Sequence, residues 1–138
     1  MALKDLYPAL RAFLLGDSAI SSAVGGQRIH VDELPQGQAT TSIVLLEVSN
    51  VGDHHMQGAS GLSRPRVQIA VWSQDRDTAR VLSLAVKNRL DGYRGPMVSG
   101  ASEVMVQGAF FDSSRWIKDE TAGLFGRVQD YFITFEER

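Results

Sequence analysis

The sequence predicts one α+β domain over residues 1–138: a mostly antiparallel sheet with one long amphipathic helix and an N-terminal helix packed on one face. Several stretches alternate apolar and polar residues, which is typical of strands with one buried face. One stretch, residues 73–92, instead repeats apolar residues every three or four positions, as a helix does. The predicted strands are joined mostly by hairpin-like connections, and this favours a sheet with helices on one side.

The first part of the sequence predicts two consecutive helices. The apolar residues of the first helix recur at helical spacing: Leu3, Leu6, Leu10, Phe13 and Leu14. Asp5 is placed to cap this helix, and Gly16 is placed to end it. Asp17 can cap a second, short helix that stops at Gly25.

The longest helix is predicted within residues 73–92. Its apolar residues form one stripe: Ala79, Leu82, Val86 and Leu90. Asp75 or Ser73 can cap its first turn, and Gly92 lies where a left-handed residue often follows a helix. The stripe predicts a helix that rests on the sheet with one side and keeps the other side polar.

Two strongly alternating stretches, residues 43–51 and 66–72, predict a pair of antiparallel strands. In the first stretch the apolar residues that share one face are Val44, Leu46 and Val48. In the second stretch they are Val67, Ile69 and Val71. The sequence VGDHHMQGASGLSR between them is rich in glycine and polar residues, so it predicts a long loop.

Further strands are predicted at residues 28–31, 103–111 and 127–137. In the second of these, Gly108 predicts a bulge or a close neighbouring backbone, and three apolar residues are expected on one face: Val104, Val106 and Phe110. In the last strand, the apolar residues that alternate with polar ones are Tyr131, Ile133 and Phe135. Loops are predicted by turn residues in the remaining polar segments, at residues 33–42, 93–102 and 112–126.

The composition is typical of a soluble globular protein, with 43% hydrophobic and 22% charged residues. The net charge of −2 argues against a free-standing nucleic-acid binder, because such proteins present a basic surface. The sequence has no cysteine and therefore no disulfide framework or zinc–thiolate site. Charged residues interrupt the N-terminal apolar stretch, so we expect neither a signal peptide nor a membrane-spanning helix there.

The best candidates for a metal site are Asp53, His54 and His55. Adjacent residues of an extended chain point to opposite sides, so two neighbouring histidines rarely bind one ion together. A solvated loop is the better interpretation, and no metal or cofactor is predicted. The sequence contains no nucleophile-elbow, phosphate-loop or dinucleotide motif. We therefore expect that the protein is not an enzyme.

Several arginines lie in predicted loops or at their ends. Arg64 and Arg66 are at the base of the glycine-rich loop, and Arg94 and Arg115 lie in other loops. If these arginines gather on one face, they form a modest positive surface; if they are scattered, they only increase solubility. Trp116 can stack on a ligand or can belong to the core or to an interface.

The order and spacing of these segments resemble the tail-completion, or tail-terminator, proteins of long-tailed bacteriophages, prophages and gene transfer agents. The similarity rests on "RIHV" followed by "LPQG", on "SRPRVQIAVW", on the apolar spacing of the long helix, and on "GRVQDYFITFEE". It extends over nearly the whole chain, which makes residues 1–138 a single tail-terminator-like domain. None of these pieces is a catalytic signature.

The resemblance implies a structural role in the virion. Proteins of this family assemble as a ring, generally six-fold, on the head-proximal end of the tail tube, where the ring ends tube growth and joins the head. The expected partners are other copies of the chain, the tail tube protein and the head–tail connector or stopper. Genomic DNA would pass through the ring without sequence-specific binding. The expected location is the neck region of the virion tail, and the host cytoplasm during assembly.

The predicted interface residues lie in the glycine-rich loop, at its base and at one later position: Asp53, His54, His55, Met56, Gln57, Arg64, Arg66, Arg115 and Trp116. Such a loop can become ordered on docking, and contacts from repeated subunits offset the entropy cost. A cyclic ring also needs two different patches on each subunit. We expect these patches on sheet edges and on the polar side of the helix from Asp75 to Leu90.

Three alternatives remain open at this point. Another neck protein, such as a head–tail stopper or adaptor, has a similar size and also forms rings. A small metal-dependent hydrolase would use Asp53, His54 and His55. A monomeric binding module would have no assembly role at all.

Overall fold

The computed structural model describes residues 4–32, 40–55, 58–100 and 102–137, and within residues 51–60 it describes the backbone only. These parts form an α+β fold, as predicted. The helices are α1 (Leu6–Leu15), α2 (Ser18–Ala23) and α3 (Arg76–Leu90). The strands are β1 (Ile29–Val31), β2 (Ser42–His55), β3 (Gly58–Ser73), β4 (Gly95–Ser99), β5 (Ser102–Asp119) and β6 (Leu124–Glu136).

The six strands form one mixed sheet in the order β1-β2-β3-β6-β5-β4. β1 runs parallel to β2, whereas the other four pairings are antiparallel. The central strands β2, β3, β6 and β5 have 13 to 18 residues each, and the strands at the two edges have three and five. The sheet therefore has long central strands between two short edges.

The main core lies between the sheet and the three helices. The predicted stripe of α3 is buried, and so are the predicted inward residues of the strands that begin at residues 66 and 127. The largest fully buried side chains of this core include Leu10, Leu14, Ile20, Ile69, Leu90, Tyr131 and Ile133. Burial of one such side chain is worth about 2 kcal/mol, so this layer dominates the stability of the fold.

Each helix begins directly after the capping aspartate that the sequence predicts. The carboxylates of Asp5, Asp17 and Asp75 accept backbone N–H bonds at 3.1, 2.9 and 3.2 Å, which satisfies donors of the first turn of each helix. Gly16 follows the last residue of α1, and Gly92 has a φ of 80° just after α3. The predicted caps are confirmed; Leu3, the first residue of the predicted apolar series, lies outside the described residues.

The predicted long loop between the first two major strands is wrong. β2 continues to His55 and β3 starts at Gly58, and these two residues pair with each other across the hairpin. The pairing accommodates two irregularities along β2, after Glu47 and after Gly52. Because strand pairing satisfies backbone N–H and C=O groups for any side chain, a polar, glycine-rich composition does not prevent it.

Two other predicted loops are largely strand. β5 continues to Asp119 and β6 begins at Leu124, so most of residues 112–126 belongs to a second long hairpin. The carboxylate of Asp119 accepts two backbone N–H bonds in the turn, each at 3.1 Å. Within residues 93–102, β4 pairs with β5 and buries Met97. Of the third predicted loop, residues 33–39 lie outside the described chain.

The bulge predicted at Gly108 is confirmed, but its consequence was missed. The pairing of β5 with β6 shifts between Val106 and Gly108, so residues beyond the shift change sides. Ala109 is buried, and Phe110, which was expected beside Val106, is 59% exposed. A similar correction applies to β2, where Ile43 and Leu45 face the main core while Val48 is exposed.

Candidate protein interface

Charged residues of three strands meet on the outer face of the sheet, the side away from the helices. Asp130 of β6 is buried, and its Oδ2 atom accepts a hydrogen bond from Arg66 Nη2 of β3 at 2.9 Å. The same Arg66 nitrogen lies 3.1 Å from Asp112 of β5, and Arg115 Nη1 lies 3.8 Å from Asp130 Oδ2. The hydrogen bond to Asp130 raises the pKa of Arg66. These residues form a fixed, internally compensated charge cluster.

Two phenylalanines stand exposed beside this charge cluster. Phe110 and Phe132 are direct partners across β5 and β6, and they are 59% and 42% exposed. Arg66 pairs with Phe132 from the other side, and its guanidinium lies 5.4 Å from the ring centroid. Exposed aromatic rings next to a positioned arginine are typical of the energetically important part of a protein interface.

The outer face also has a small apolar cluster of its own. Val44, Ala70 and Val128 are buried there, with Trp72 packed against them. Gly126 leaves no room for a larger residue, because an added Cβ would lie 2.7 Å from the Trp72 ring. The outer face is therefore a closely packed, preformed surface.

A second surface lies on the helix side, between α3 and the hairpin of β5 and β6. We call it the α3 groove and define it by Arg76, Arg80, Leu84, Lys87, Trp116 and Arg127. The guanidiniums of Arg76 and Arg127 lie 4.3 and 5.0 Å from the Trp116 ring centroid. Lys87 Nζ lies 4.0 Å from the ring centroid of Phe111. The groove thus holds several cations on aromatic supports.

A third feature is a group of carboxylates around Tyr7 at the start of α1. Asp5 accepts a hydrogen bond from the Tyr7 backbone N–H at 3.1 Å, and the backbone N–H of Asp32 donates to the carbonyl oxygen of Leu45, two residues before Glu47, at 2.8 Å. Burial of Tyr7, together with the negative charges of Glu47, Asp5 and Asp32, raises the pKa of its hydroxyl. Asp5, Asp32 and Glu47 are all exposed. We call these three residues the Tyr7 carboxylate cluster.

The predicted interface residues are divided between these surfaces. Arg66 and Arg115 do come together, at Asp130, whereas Trp116 lies on the opposite side of the sheet in the α3 groove. Arg64 is exposed on β3 and has an interaction partner. For three predicted residues only the backbone is described, as part of β2: Asp53, His54 and His55. The other two lie outside the described residues: Met56 and Gln57.

Sequence reasoning missed the residues that give each surface its character. On the outer face these are Phe110, Asp112, Asp130 and Phe132, and in the groove it is Arg127. The other groove cations, Arg76, Arg80 and Lys87, belong to α3, whose polar side the sequence analysis had proposed as a patch. The exposure of Phe132 could have been predicted, because Phe132 occupies a position on the polar side of an alternating strand. The burial of Asp130 could not have been predicted, since an aspartate at such a position is usually exposed.

Neither a metal centre nor a membrane helix is found in the described chain. No three His, Asp or Glu side chains described there lie close enough together to hold a metal ion. No described helix is long and apolar enough to cross a bilayer. Only the backbone of residues 53–55 is described, so the hypothesis that their side chains bind a metal ion stays untested.

The sequence matches a known family over almost its full length. The family is described as tail completion protein gp17, and its sequence model matches residues 8–136. The chain belongs to this family. The predicted resemblance is thereby confirmed.

A solved structure shares the fold of this chain. A chain in the virion of a native gene transfer agent particle superposes with a TM-score of 0.74 at 20% sequence identity. The match covers 95% of this chain and 94% of that chain. No curated protein matches the sequence at a significant level. At this identity the likeness shows that the two chains share a fold.

Proposed function

We propose that this protein is a virion structural protein without a catalytic role, and that it forms a ring on the head-proximal end of the tail tube. The ring, with six copies of the chain, stops tube growth and provides the surface that meets the head–tail connector or stopper. The observation that carries the proposal is the family match over residues 8–136, and the fold shared with a chain of an assembled particle supports it.

The geometry of the outer face fits this role. Phe110 and Phe132 present apolar area that a partner can bury, and the Arg66–Asp130 pair holds the neighbouring charges in place. A preformed surface loses little conformational entropy on docking, which favours stable assembly. We assign the outer face, together with the hairpin of β2 and β3, to the contact with the tail tube protein.

The remaining parts of the proposal follow from the same ring. Its centre is a channel through which genomic DNA passes without sequence-specific contacts, which suits a chain with a net charge of −2. The protein acts in the neck region of the virion tail and is present in the host cytoplasm during assembly. No step of this role requires a cofactor.

Electron microscopy of particles made without this protein tests the proposal. We expect headless tails of irregular or excessive length together with tail-less heads, because nothing then ends the tube or joins it to the head. Particles of normal length with attached heads would refute the assembly role.

A second experiment separates a terminator from a stopper or adaptor. Purified protein is added to growing tail tubes, and tube lengths are measured over time. A terminator stops elongation at a ratio of one ring per tube, whereas a stopper leaves elongation unaltered. Metal analysis of the purified protein tests the hydrolase alternative, which predicts a bound ion that is lost when His54 and His55 are replaced by alanine.

A further inference from the structure

The α3 groove carries positive charge that the described chain does not neutralise. Four of the residues that line it are cationic, and none is a carboxylate: Arg76, Arg80, Lys87 and Arg127. Arg80 pairs with Asp77 at 2.8 Å. Within the described residues, no carboxylate lies within ion-pair distance of the other three. The groove is therefore an open site for negatively charged groups.

The cations of the groove are held in place before any partner arrives. Arg76 and Arg127 lie over the Trp116 ring, and Arg127 also donates a hydrogen bond to Ser114 Oγ at 2.6 Å. Leu84, which also lines the groove, is 55% exposed. Arginine, tryptophan and an exposed aliphatic residue together are typical of a protein-binding surface.

The Tyr7 carboxylate cluster has the opposite charge and a similar make-up. Among the described residues, neither Asp32 nor Glu47 has an ion-pair partner, and Val31 beside Asp32 is 40% exposed. Each of the two surfaces thus combines unpaired charge with an exposed aliphatic side chain. Opposite charges arranged in this way favour correct docking and suppress wrong partners.

The two surfaces are too far apart to meet within one subunit. Glu47 pairs across the sheet with Val67, and Val67 pairs with Tyr131. Arg127 lies four residues before Tyr131 on β6, which corresponds to about 13 Å along the strand, and it is also two strands away from Glu47. Contact between the two surfaces therefore requires two copies of the chain.

We infer that the α3 groove of one copy binds the Tyr7 carboxylate cluster of the next copy, in a head-to-tail contact that repeats around the ring. The inference rests on the proposed function, because a closed ring requires two different patches on each subunit. Duplex DNA is the other polyanion that a basic groove could take. The exposed Leu84 and the overall negative charge favour a protein partner, and the matching cluster makes that partner a second copy.

Complementary charge reversal tests the contact. A groove variant carries Arg80→Glu and Lys87→Glu, and a cluster variant carries Asp32→Asn and Glu47→Lys; Asp5 is kept because it caps α1. Association of the full-length proteins is measured by sedimentation velocity at low salt, at concentrations up to about 1 mM, the weak end of specific binding. We expect each variant alone to associate at least about tenfold more weakly than the unaltered protein. An equimolar mixture should recover assembly, because the lysine introduced at position 47 then faces the glutamates introduced at positions 80 and 87, while the unaltered groove faces the unaltered cluster.

Two controls make the result specific. Arg94→Glu and Glu103→Lys reverse exposed charges outside both surfaces and should associate as the unaltered protein does. Circular dichroism confirms that each variant is folded. The inference is wrong if the unaltered protein stays monomeric, if the variants associate normally, or if their mixture does not assemble.

The results of these experiments also distinguish the contact between the α3 groove and the Tyr7 carboxylate cluster from the terminator role and from DNA binding. Loss of duplex DNA binding in the groove variant, without any change in self-association, assigns the groove to DNA and overturns the inference. If the unaltered protein ends tube growth while the mixture fails to assemble, the terminator role stands and this contact is wrong. If the mixture assembles but tubes grow freely, the contact stands and the terminator role is wrong.

Discussion

The outer face and the α3 groove differ in how they compensate charge. On the outer face, Arg66 lies within ion-pair distance of both Asp112 and Asp130, so the charges balance inside the subunit. In the groove, Arg76 and Lys87 rest on aromatic rings instead of carboxylates. Ion pairs inside a subunit fix its shape, whereas cations without carboxylates are available to a partner. Stability should therefore depend on the charges of the outer face, and association on those of the groove.

The largest effect on stability is expected from Asp130→Ala. The change removes a buried carboxylate and its hydrogen bond from Arg66, which then keeps its ion pair with Asp112. We expect the free energy of unfolding to fall by about 2 kcal/mol, less than for a fully buried pair because the arginines are partly hydrated. Urea unfolding followed by circular dichroism measures this change.

Asp77→Ala is the matched control, since it also removes the carboxylate partner of an arginine. The Asp77–Arg80 pair is exposed on α3, and such pairs contribute about 0.5 kcal/mol or less. Equal losses in the two variants would contradict the distinction between the two surfaces.

The next largest effect is expected from Gly126→Ala on the outer face. The added Cβ would lie 2.7 Å from the Trp72 ring and 2.9 Å from Ile117 Cγ1, so these side chains must move. Such overpacking should lower the free energy of unfolding by about 1.5 kcal/mol. In a Trp72→Leu background the same change should cost much less, and a loss that is the same in both backgrounds would argue against a packed outer face.

A smaller effect is expected from Tyr131→Phe in the main core. The Tyr131 hydroxyl donates a hydrogen bond to Gln129 Oε1 at 3.0 Å, and its loss should cost about 1 kcal/mol at neutral pH. Burial, with a contribution from the charge of Asp91, raises the pKa of Tyr131 above its ordinary value of 10.0.

The raised pKa has a definite sign for alkaline stability. Above pH 10 the unfolded tyrosine loses its proton while the folded one keeps it, so stability is full below this pH and falls as the pH rises. The phenylalanine variant should show a shallower fall in unfolding midpoint above pH 10. Some decline should persist, because the pKa of Tyr7 is raised as well. An unchanged slope would show that Tyr131 does not contribute.

The smallest effect on stability, combined with a large effect on assembly, is expected from Phe110→Ser. Phe110 is mostly exposed, so the free energy of unfolding should change by less than about 0.5 kcal/mol. Tail tubes should nevertheless continue to grow in its presence if the outer face binds the tube. Phe111→Ser is the control on the opposite side of β5: Phe111 packs against the main core, so this variant should lose stability. Normal tube capping by Phe110→Ser would remove the outer face from the tube contact.

The features that the sequence predicted well are local ones. The caps Asp5, Asp17 and Asp75 act within two residues, and the stripe of α3 repeats within one helix. The alternation around Tyr131 likewise reports directly on one buried face. The family resemblance extended this reading to the whole chain, and the family match confirms it.

The features that the sequence failed to predict depend on residues far apart in the chain. The strand pairing of residues 52–55 with residues 58–63 comes from the facing strand and not from their own glycine-rich composition. The outward turn of Phe110 depends on one inserted residue at the bulge. The charge cluster at Asp130 joins residues of three strands, and no spacing of residues within the sequence predicts it. The outer face was therefore visible only after the strands had been placed, whereas the sequence had already indicated the polar side of α3 as a candidate patch.

The shortness of the two outermost strands limits how copies of the chain can join. β1 has three residues and β4 has five, and β4 includes Pro96, which lacks a backbone N–H. A strand of a neighbouring subunit could form few backbone hydrogen bonds with either edge of the sheet. Continuous sheets running from subunit to subunit are thus disfavoured, which argues against the sheet-edge patches expected from the sequence and favours contacts made by side chains. The strength of a contact made by side chains can be changed by single substitutions without altering the backbone of the subunit.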